Sequence, residues 1–409
     1  MKFPDGFMWG TATAAHQVEG GNINCDGWLL EHLPDTRFAE TSADACDHYH
    51  RYGEDIALLA QLGFNTYRFS IEWARIEPEE GEFSLAALDH YRRMLAACHE
   101  NGITPMVTLH HFTSPRWLMT CGGWEAIETA GRFARYCERA VRHLGDLIAS
   151  ACTINELNLV ALFRSTGRIP PDDQIVRSPM RIEGARAMGV EPEKFGSYPW
   201  CVRSASRDVM IAAHRLGAAA LRSGPGSFPV GMTVAMSDMQ AAPGGEEHRD
   251  RARREAEDVF LEAAREDEFV GVQTYTRDRF GPNGALPVEP GVEITQMGYE
   301  YMPRALEATI RHAHAKAQVP IVVTENGIAT DDDARRIAFV EQALGGVARC
   351  IRDGIDVRGY LYWSMLDNFE WLFGYGPKFG LIAVDRQSQQ RILKPSAEWL
   401  GRIARANEL

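Results

Sequence analysis

The groups able to do chemistry are concentrated in short polar stretches that follow apolar runs. They are Arg68-Phe69-Ser70-Ile71-Glu72-Trp73, His110-His111-Phe112, Thr153-Ile154-Asn155-Glu156, Gln273-Thr274-Tyr275 and Thr324-Glu325-Asn326-Gly327, then Tyr362-Trp363 followed by Asp367-Asn368-Phe369-Glu370-Trp371. Two carboxylates, Glu156 and Glu325, stand among aromatic rings, amides and imidazoles. That mixture suits a neutral, polyhydroxylated ligand, because rings stack on C–H faces while Asn, Gln, Glu and His bind hydroxyls. A phosphate site would instead want basic residues and a Gly-rich loop at a helix start, and the chain has no G-x-x-x-x-G-K-[ST] and no strand-linked G-x-G-x-x-G. The 13 histidines are unclustered apart from His110-His111, and the 8 cysteines contain no C-x-x-C pair. A metal site and a redox motif are therefore not expected.

Those stretches need elements to hold them. Phe7–Thr13, Thr66–Ser70, Thr104–Leu109, Ala149–Ile154, Val230–Val234, Phe269–Thr274, Ile321–Thr324 and Val357–Leu361 have the length and bulk of strands. Between them, Tyr52–Leu62, Leu85–Asn101, Gly131–Leu144, Ser206–Leu221, Arg251–Glu266, Met302–Ala315 and Asp333–Arg352 repeat apolar residues at three- and four-residue spacing. The strands are continuously apolar, as expected where both faces are covered. The pattern predicts an α/β fold, a (β/α)8 TIM barrel forming a single domain over residues 1–409. Its active site is expected at the C-terminal ends of the strands, where the polar stretches fall. Pro170–Pro199 and Ala241–His248, rich in Gly, Pro or charge, read as long surface loops, and Arg251–Arg254 as a solvated helix face.

Composition narrows the function. With 45% apolar and 24% charged residues over 409 positions the chain is an ordinary globular protein. A net charge of −13 argues against a nucleic-acid partner, and no apolar run approaches a membrane span. The N-terminal Met1-Lys2-Phe3-Pro4-Asp5-Gly6 lacks a basic stretch followed by an apolar one, and the scattered cysteines suggest reduced thiols. Both point to a cytoplasmic protein.

Five ordered blocks carry a resemblance over essentially the whole chain. Phe7-Met8-Trp9-Gly10-Thr11-Ala12-Thr13-Ala14-Ala15-His16-Gln17-Val18-Glu19-Gly20, Asp47-His48-Tyr49-His50-Arg51-Tyr52 and Arg68-Phe69-Ser70-Ile71-Glu72-Trp73-Ala74-Arg75-Ile76-Glu77-Pro78 form the first three. Thr324-Glu325-Asn326-Gly327 and Trp363-Ser364-Met365-Leu366-Asp367-Asn368-Phe369-Glu370-Trp371 form the last two. In these the chain resembles glycoside hydrolase family 1, the β-glucosidase-like retaining glycosidases. The resemblance implies Glu325 as nucleophile and Glu156 as acid/base, a pair that must stand roughly 5 Å apart with separated pKa values. Arg68 would keep Glu325 ionised and Tyr275 would donate to it. It also implies Gln17, His111, Asn155, Glu370 and Trp371 as binders of sugar hydroxyls and Trp363 as a stacking floor. No cofactor or metal is implied, and the partner is a small β-glycoside or short oligosaccharide.

The same residues bear on specificity. Relatives acting on 6-phosphorylated sugars place Ser and Lys where this chain has Glu370 and Trp371, so an unphosphorylated glycoside is expected. Glu156 stands where thioglucosidases carry Gln, which favours an O-glycoside. Leu157 replaces the usual Pro after the acid, Gln273 the usual Asn, and Phe112 the usual Trp. The expected activity is that of an exo-acting β-glucosidase tolerant of β-fucosides or β-galactosides. Rival readings are a transglycosylase using the same glutamates and a sugar-binding protein with little turnover. An aldolase would need a Lys or metal at a strand end, and neither is found. Glu72, Trp73, Arg75, His48 and His110 read as structural, and Trp9, Trp28, Trp117, Trp124 and Trp200 are open between core and aglycone site.

Overall fold

The structure, a computed structural model, describes residues 1–409. Eight strands form the barrel: β1 Met8–Thr13, β2 Thr66–Ser70, β3 Thr104–His110, β4 Ser150–Ile154, β5 Val230–Ala241, β6 Phe269–Gly281, β7 Ile321–Asn326 and β8 Val357–Trp363. Each pairs in parallel with the next, and β8 pairs with β1, so the sheet closes. Around it run α1 His48–Leu62, α2 Leu85–Glu100, α3 Glu128–Leu144 and α4 Ser206–Arg222, one after each of the first four strands. Following β5, Glu246–Arg253, a π-turn at Arg254–Asp258 and Val259–Ala263 run on as α5. The ring is completed by α6 Ala305–Ala317, α7 Asp333–Arg352 and α8 Pro395–Ala406. The (β/α)8 expectation is met. The last helix, α8, is not among the segments that periodicity picks out. Pro395 in its first turn starts it, and it buries Ala397, Leu400, Ile403 and Ala404.

Inside the barrel the side chains lie in levels. Met106, Cys152, Phe269, Val322 and Leu361 form a separate apolar plug, while the main core fills the space between sheet and helices. Arg68 pairs in register with Met106 and therefore also points inward. It is fully buried, and its side chain reaches Thr108 and the Thr324 carbonyl, nearer the strand ends. The polar site thus adjoins an apolar floor.

Three stretches depart from expectation. β5 and β6 run on to Ala241 and Gly281, beyond the apolar runs Val230–Val234 and Phe269–Thr274. In this polar extension Asp238 pairs in backbone register with Arg277, whose guanidinium bonds Glu300 at 2.6 Å and Gln240 at 3.0 Å. Ala241–His248 is accordingly no long loop, since Ala241 ends a strand and Glu246 starts a helix. Pro170–Pro199 is not a surface loop either. It folds into helices Asp172–Val176 and Pro179–Met188 and buries Arg181, Phe195, Ser197 and Tyr198. Arg181, a residue type that reads as solvated, instead meets Glu125 at 2.6 and 3.0 Å and the carbonyls of Pro192, Glu193 and Cys201. A guanidinium can be buried when its charge and donors are all matched.

Glu257, in the π-turn, is buried and accepts the Ser237 N–H at 3.0 Å. Burial pushes its carboxyl up to about 8, with the Ser237 N–H and Arg253 opposing and Asp258 and Asp278 adding to the rise. A folded-state value above the unfolded one means stability present below the ordinary carboxylate range and lost as pH rises toward 8. The Tm should therefore fall between about pH 5 and about pH 8, and Glu257→Gln should flatten that fall. Thermal melts at the two pH values check this, and an unchanged slope in the variant contradicts it.

Candidate active site

Arg68, from the middle of β2, organises the centre of the strand-end face. Its Nη1 donates to Glu325 Oε1 at 2.7 Å, its Nη2 to Asn155 Oδ1 at 2.5 Å and its Nε to Thr108 Oγ1 at 3.1 Å. The other carboxylate oxygen of Glu325, Oε2, accepts the Tyr275 hydroxyl at 2.7 Å. Glu325 closes β7, and the chain turns away at Gly327, where a Cβ would lie 2.0 Å from the Trp363 carbonyl oxygen. Only glycine lets β7 and β8 diverge this closely beside the site.

Glu156 is held by its backbone alone. Its N–H donates to Thr233 Oγ1 at 3.0 Å and its carbonyl accepts the Tyr198 hydroxyl at 2.5 Å. These bonds fix a φ of 44°, in the left-handed region that non-glycine residues rarely adopt. Asn158 secures the following turn through Nδ2 to the carbonyls of Ala235 and Ala256 at 2.7 and 2.8 Å, and through Oδ1 from the Ala235 N–H at 2.8 Å. Leu157 is buried beside it. The loss of proline stiffness at that position is thus met by hydrogen bonds to β5 and to the Pro170–Pro199 segment.

The two carboxyls are electrically unequal. Burial raises Glu325 above the ordinary range, but the Arg68 guanidinium and the Tyr275 hydroxyl pull against that rise. Glu156 is pushed well above its ordinary value by burial and then by the negative charge of Glu325. Arg68 opposes the rise, and Glu370 adds to it. When the pair shares one proton, Glu156 holds it. That is the arrangement an acid next to an anionic nucleophile requires.

A second group of buried polar residues faces the pair. Gln17 Nε2 donates to the Phe369 carbonyl at 2.8 Å and to Glu370 Oε2 at 3.2 Å. Burial and the charge of Glu325 raise Glu370 to about 8, while the Gln17 and Trp363 N–H groups hold it back. His111 stacks on Trp363 with centroids 5.6 Å apart, and burial beside Arg68 keeps its imidazole neutral. Gln17 Oε1, His111 Nδ1 and Asn155 Nδ2 are buried without a protein partner, a set of unused donors and acceptors of the kind a sugar ring engages. The site residues expected from the sequence are all buried except Tyr275, which is half-buried. Thr108, Thr233, Tyr198 and Asn158 were not among those expected. The two threonines are ordinary strand formers by type, and Tyr198 lies in a stretch that reads as loop.

Above the second group, Trp371 lies 5.3 Å from Trp200, which lies 5.4 Å from Phe38, with Phe112 5.5 Å from Trp371. Trp200 is half-buried, whereas Trp9 and Trp124 are fully buried in the core. The other residues read as structural are so placed. Arg75 pairs with Glu19 at 2.9 Å, Glu72 accepts the Thr113 hydroxyl at 2.8 Å, and His48 bonds Asp55 at 2.7 Å.

A closed (β/α)8 barrel with two unequal carboxyls at its strand ends, walled by rings and spare amides, is the working end of a glycoside hydrolase. Comparison with known proteins gives the family. The family model described as "Glycosyl hydrolase family 1" matches residues 1–188 and 233–409, and the chain belongs to that family. The solved structure of β-glycosidase BGL167 is similar over 100% of this chain and 98% of its own, at 55% identity and a TM-score of 0.96. Curated relatives include β-glucosidase A of Thermotoga maritima, 30% identical over 100% of this chain and 99% of the relative. A bifunctional β-D-glucosidase/β-D-fucosidase of Bifidobacterium breve is 31% identical over 98% of each. The chain is an enzyme, a β-glycosidase.

Proposed function

We propose that the whole chain, residues 1–409, works as one domain: a retaining, exo-acting β-glycosidase of the cytoplasm. It releases terminal unphosphorylated β-D-glucosyl residues from small glycosides or short oligosaccharides and tolerates β-D-fucosides and β-D-galactosides. The observation that carries the reading is the unequal bonding of the two glutamates. Both Glu325 oxygens are held as acceptors by Arg68 and Tyr275, while Glu156 makes no side-chain bond and is repelled by Glu325.

In the first step Glu325 attacks the anomeric carbon while Glu156 gives its proton to the glycosidic oxygen. The C–O bond breaks and the aglycone leaves as an alcohol, so the sugar is left as an ester of Glu325. Glu156, now a carboxylate, takes a proton from water, whose oxygen attacks the same carbon and displaces Glu325. Two inversions give net retention, and Glu156 is protonated again. Asn155 Nδ2 is positioned for the 2-hydroxyl, and Gln17, His111 and Glu370 for the others. Trp363 supplies the stacking floor. Trp371 leads to Trp200 and Phe38, an aromatic wall for the aglycone. The Gln17–Glu370 pair is buried and hydrogen-bonded, which supports a blind end to the sugar site and removal of a terminal residue.

The relative named for both glucosidase and fucosidase activity supports the tolerance for fucosides. The cytoplasmic setting is supported by eight free cysteines, seven of them buried. No helix is long and apolar enough to cross a membrane.

Release of nitrophenol from the β-glucoside, β-galactoside, β-fucoside, β-xyloside and 6-phospho-β-glucoside tests the substrate class. The glucoside or fucoside should turn over, and the phosphorylated sugar should be slower by at least about 100-fold, because Glu370, neutral below about pH 8 and negative above it, never offers the phosphate a positive partner. Preference for the phosphorylated glycoside, or turnover of none, would overturn the reading.

A further inference from the structure

Gln273 shares a strand-pair position with Glu325, but its side chain is not hydrogen-bonded to it. Its Nε2 donates instead to Asn155 Oδ1 at 2.9 Å, the same oxygen that receives Arg68 Nη2 at 2.5 Å. An amide oxygen has two lone pairs, and these two donors fill them. Thr233 Oγ1, at 3.4 Å, is at the edge of bonding distance. Arg68 can only donate, so the orientation of the Asn155 amide is dictated: oxygen toward Arg68 and Gln273, NH2 away from them. Asn155 Nδ2 is buried and has no protein partner.

The torsion that turns an asparagine amide is broad and soft. With Arg68 alone on Oδ1, the amide could pivot about that single contact. A second donor from a different strand removes the freedom. Gln273 enters from β6, immediately after a register irregularity between Val272 and Gln273, whereas Arg68 enters from β2. The two anchors therefore reach Asn155 from different sides of the barrel.

We propose that Gln273 is a positioning residue: by donating to Asn155 Oδ1 it aims the Asn155 NH2 at the 2-hydroxyl of the sugar. The inference rests on the glycosidase reading above. A bond at the 2-hydroxyl that strengthens in the transition state raises kcat more than it lowers KM. Gln273 therefore acts on rate, through Asn155, and only for substrates that carry a 2-hydroxyl.

That condition supplies the test. Kinetics of the unmutated protein, Gln273→Leu and Gln273→Asn are measured on nitrophenyl β-glucoside and on its 2-deoxy analogue. Gln273→Leu should lose about 10- to 100-fold in kcat on the glucoside and less than about 2-fold on the 2-deoxy glycoside. Gln273→Asn keeps an amide donor on a shorter arm. It should fall in between, with its loss again confined to the glucoside, and it carries the test should the leucine variant not fold. Equal losses on both substrates would mean a merely structural role and overturn the inference, as would an unimpaired glucoside rate. If the unmutated protein turns over neither substrate, the hydrolase reading falls and this inference with it.

Discussion

Glu325→Ala should lower kcat/KM on nitrophenyl β-glucoside by on the order of 10⁴-fold or more, the scale of losing a covalent nucleophile. No neighbour can take over the attack. Tyr275 and Arg68 both donate to Glu325, and Glu370 is bonded to Gln17. Azide should restore turnover in this variant by entering the space the carboxylate leaves. Because it attacks from that same face, the product should be the α-glycosyl azide. A β-glycosyl azide, or full activity without azide, would remove Glu325 from the nucleophile's role. The variant should also melt at a lower temperature, because Arg68, fully buried, loses its counter-charge. Circular dichroism at the assay temperature separates that loss from the chemical one.

Glu156→Gln should give a loss that depends on the leaving group. On alkyl glucosides, whose departing oxygen needs a proton, the fall should be about 10²- to 10⁴-fold. On a dinitrophenyl glucoside, which leaves without help, the first step should be nearly unchanged. Water attack should still be slow, so a burst of nitrophenolate should precede a slow steady state. The pH profile follows from the two raised carboxyls. Activity needs Glu325 ionised, so it falls as pH drops through the Glu325 pKa. It needs Glu156 protonated, so it falls as pH rises through the higher Glu156 value. Glu156→Gln should abolish the alkaline limb of kcat/KM and leave the acid limb in place. A variant that keeps its alkaline limb, or that loses equally on every leaving group, would contradict the assignment.

Much of this site is legible from residue types because barrel strands are buried on both faces. Thr66–Ser70 reads as a strand and is one, and the polar groups that break such runs, Glu156 and Glu325 among them, mark the strand ends. What escapes the sequence is pairing over distance. Arg181 looks solvated until Glu125, 56 residues away, is placed beside it. That contact helps to order the segment that brings Tyr198 to the carbonyl of Glu156. The extensions of β5 and β6 look too polar for strands until Arg277 meets Glu300 and Gln240. The left-handed backbone at Glu156 leaves no trace in composition, since it is imposed by Thr233 and Tyr198 from other parts of the chain. Gln273 likewise shows as a departure from a familiar pattern, and only the bond to Asn155 gives it a purpose.

Double displacement is the central claim, and the configuration of the first sugar released tests it most directly. Proton NMR of β-glucoside hydrolysis, recorded before mutarotation, should show the β-anomer of glucose appearing first and the α-anomer growing in later. The α-anomer appearing first would mean a single displacement by water and would contradict a glycosyl-enzyme on Glu325.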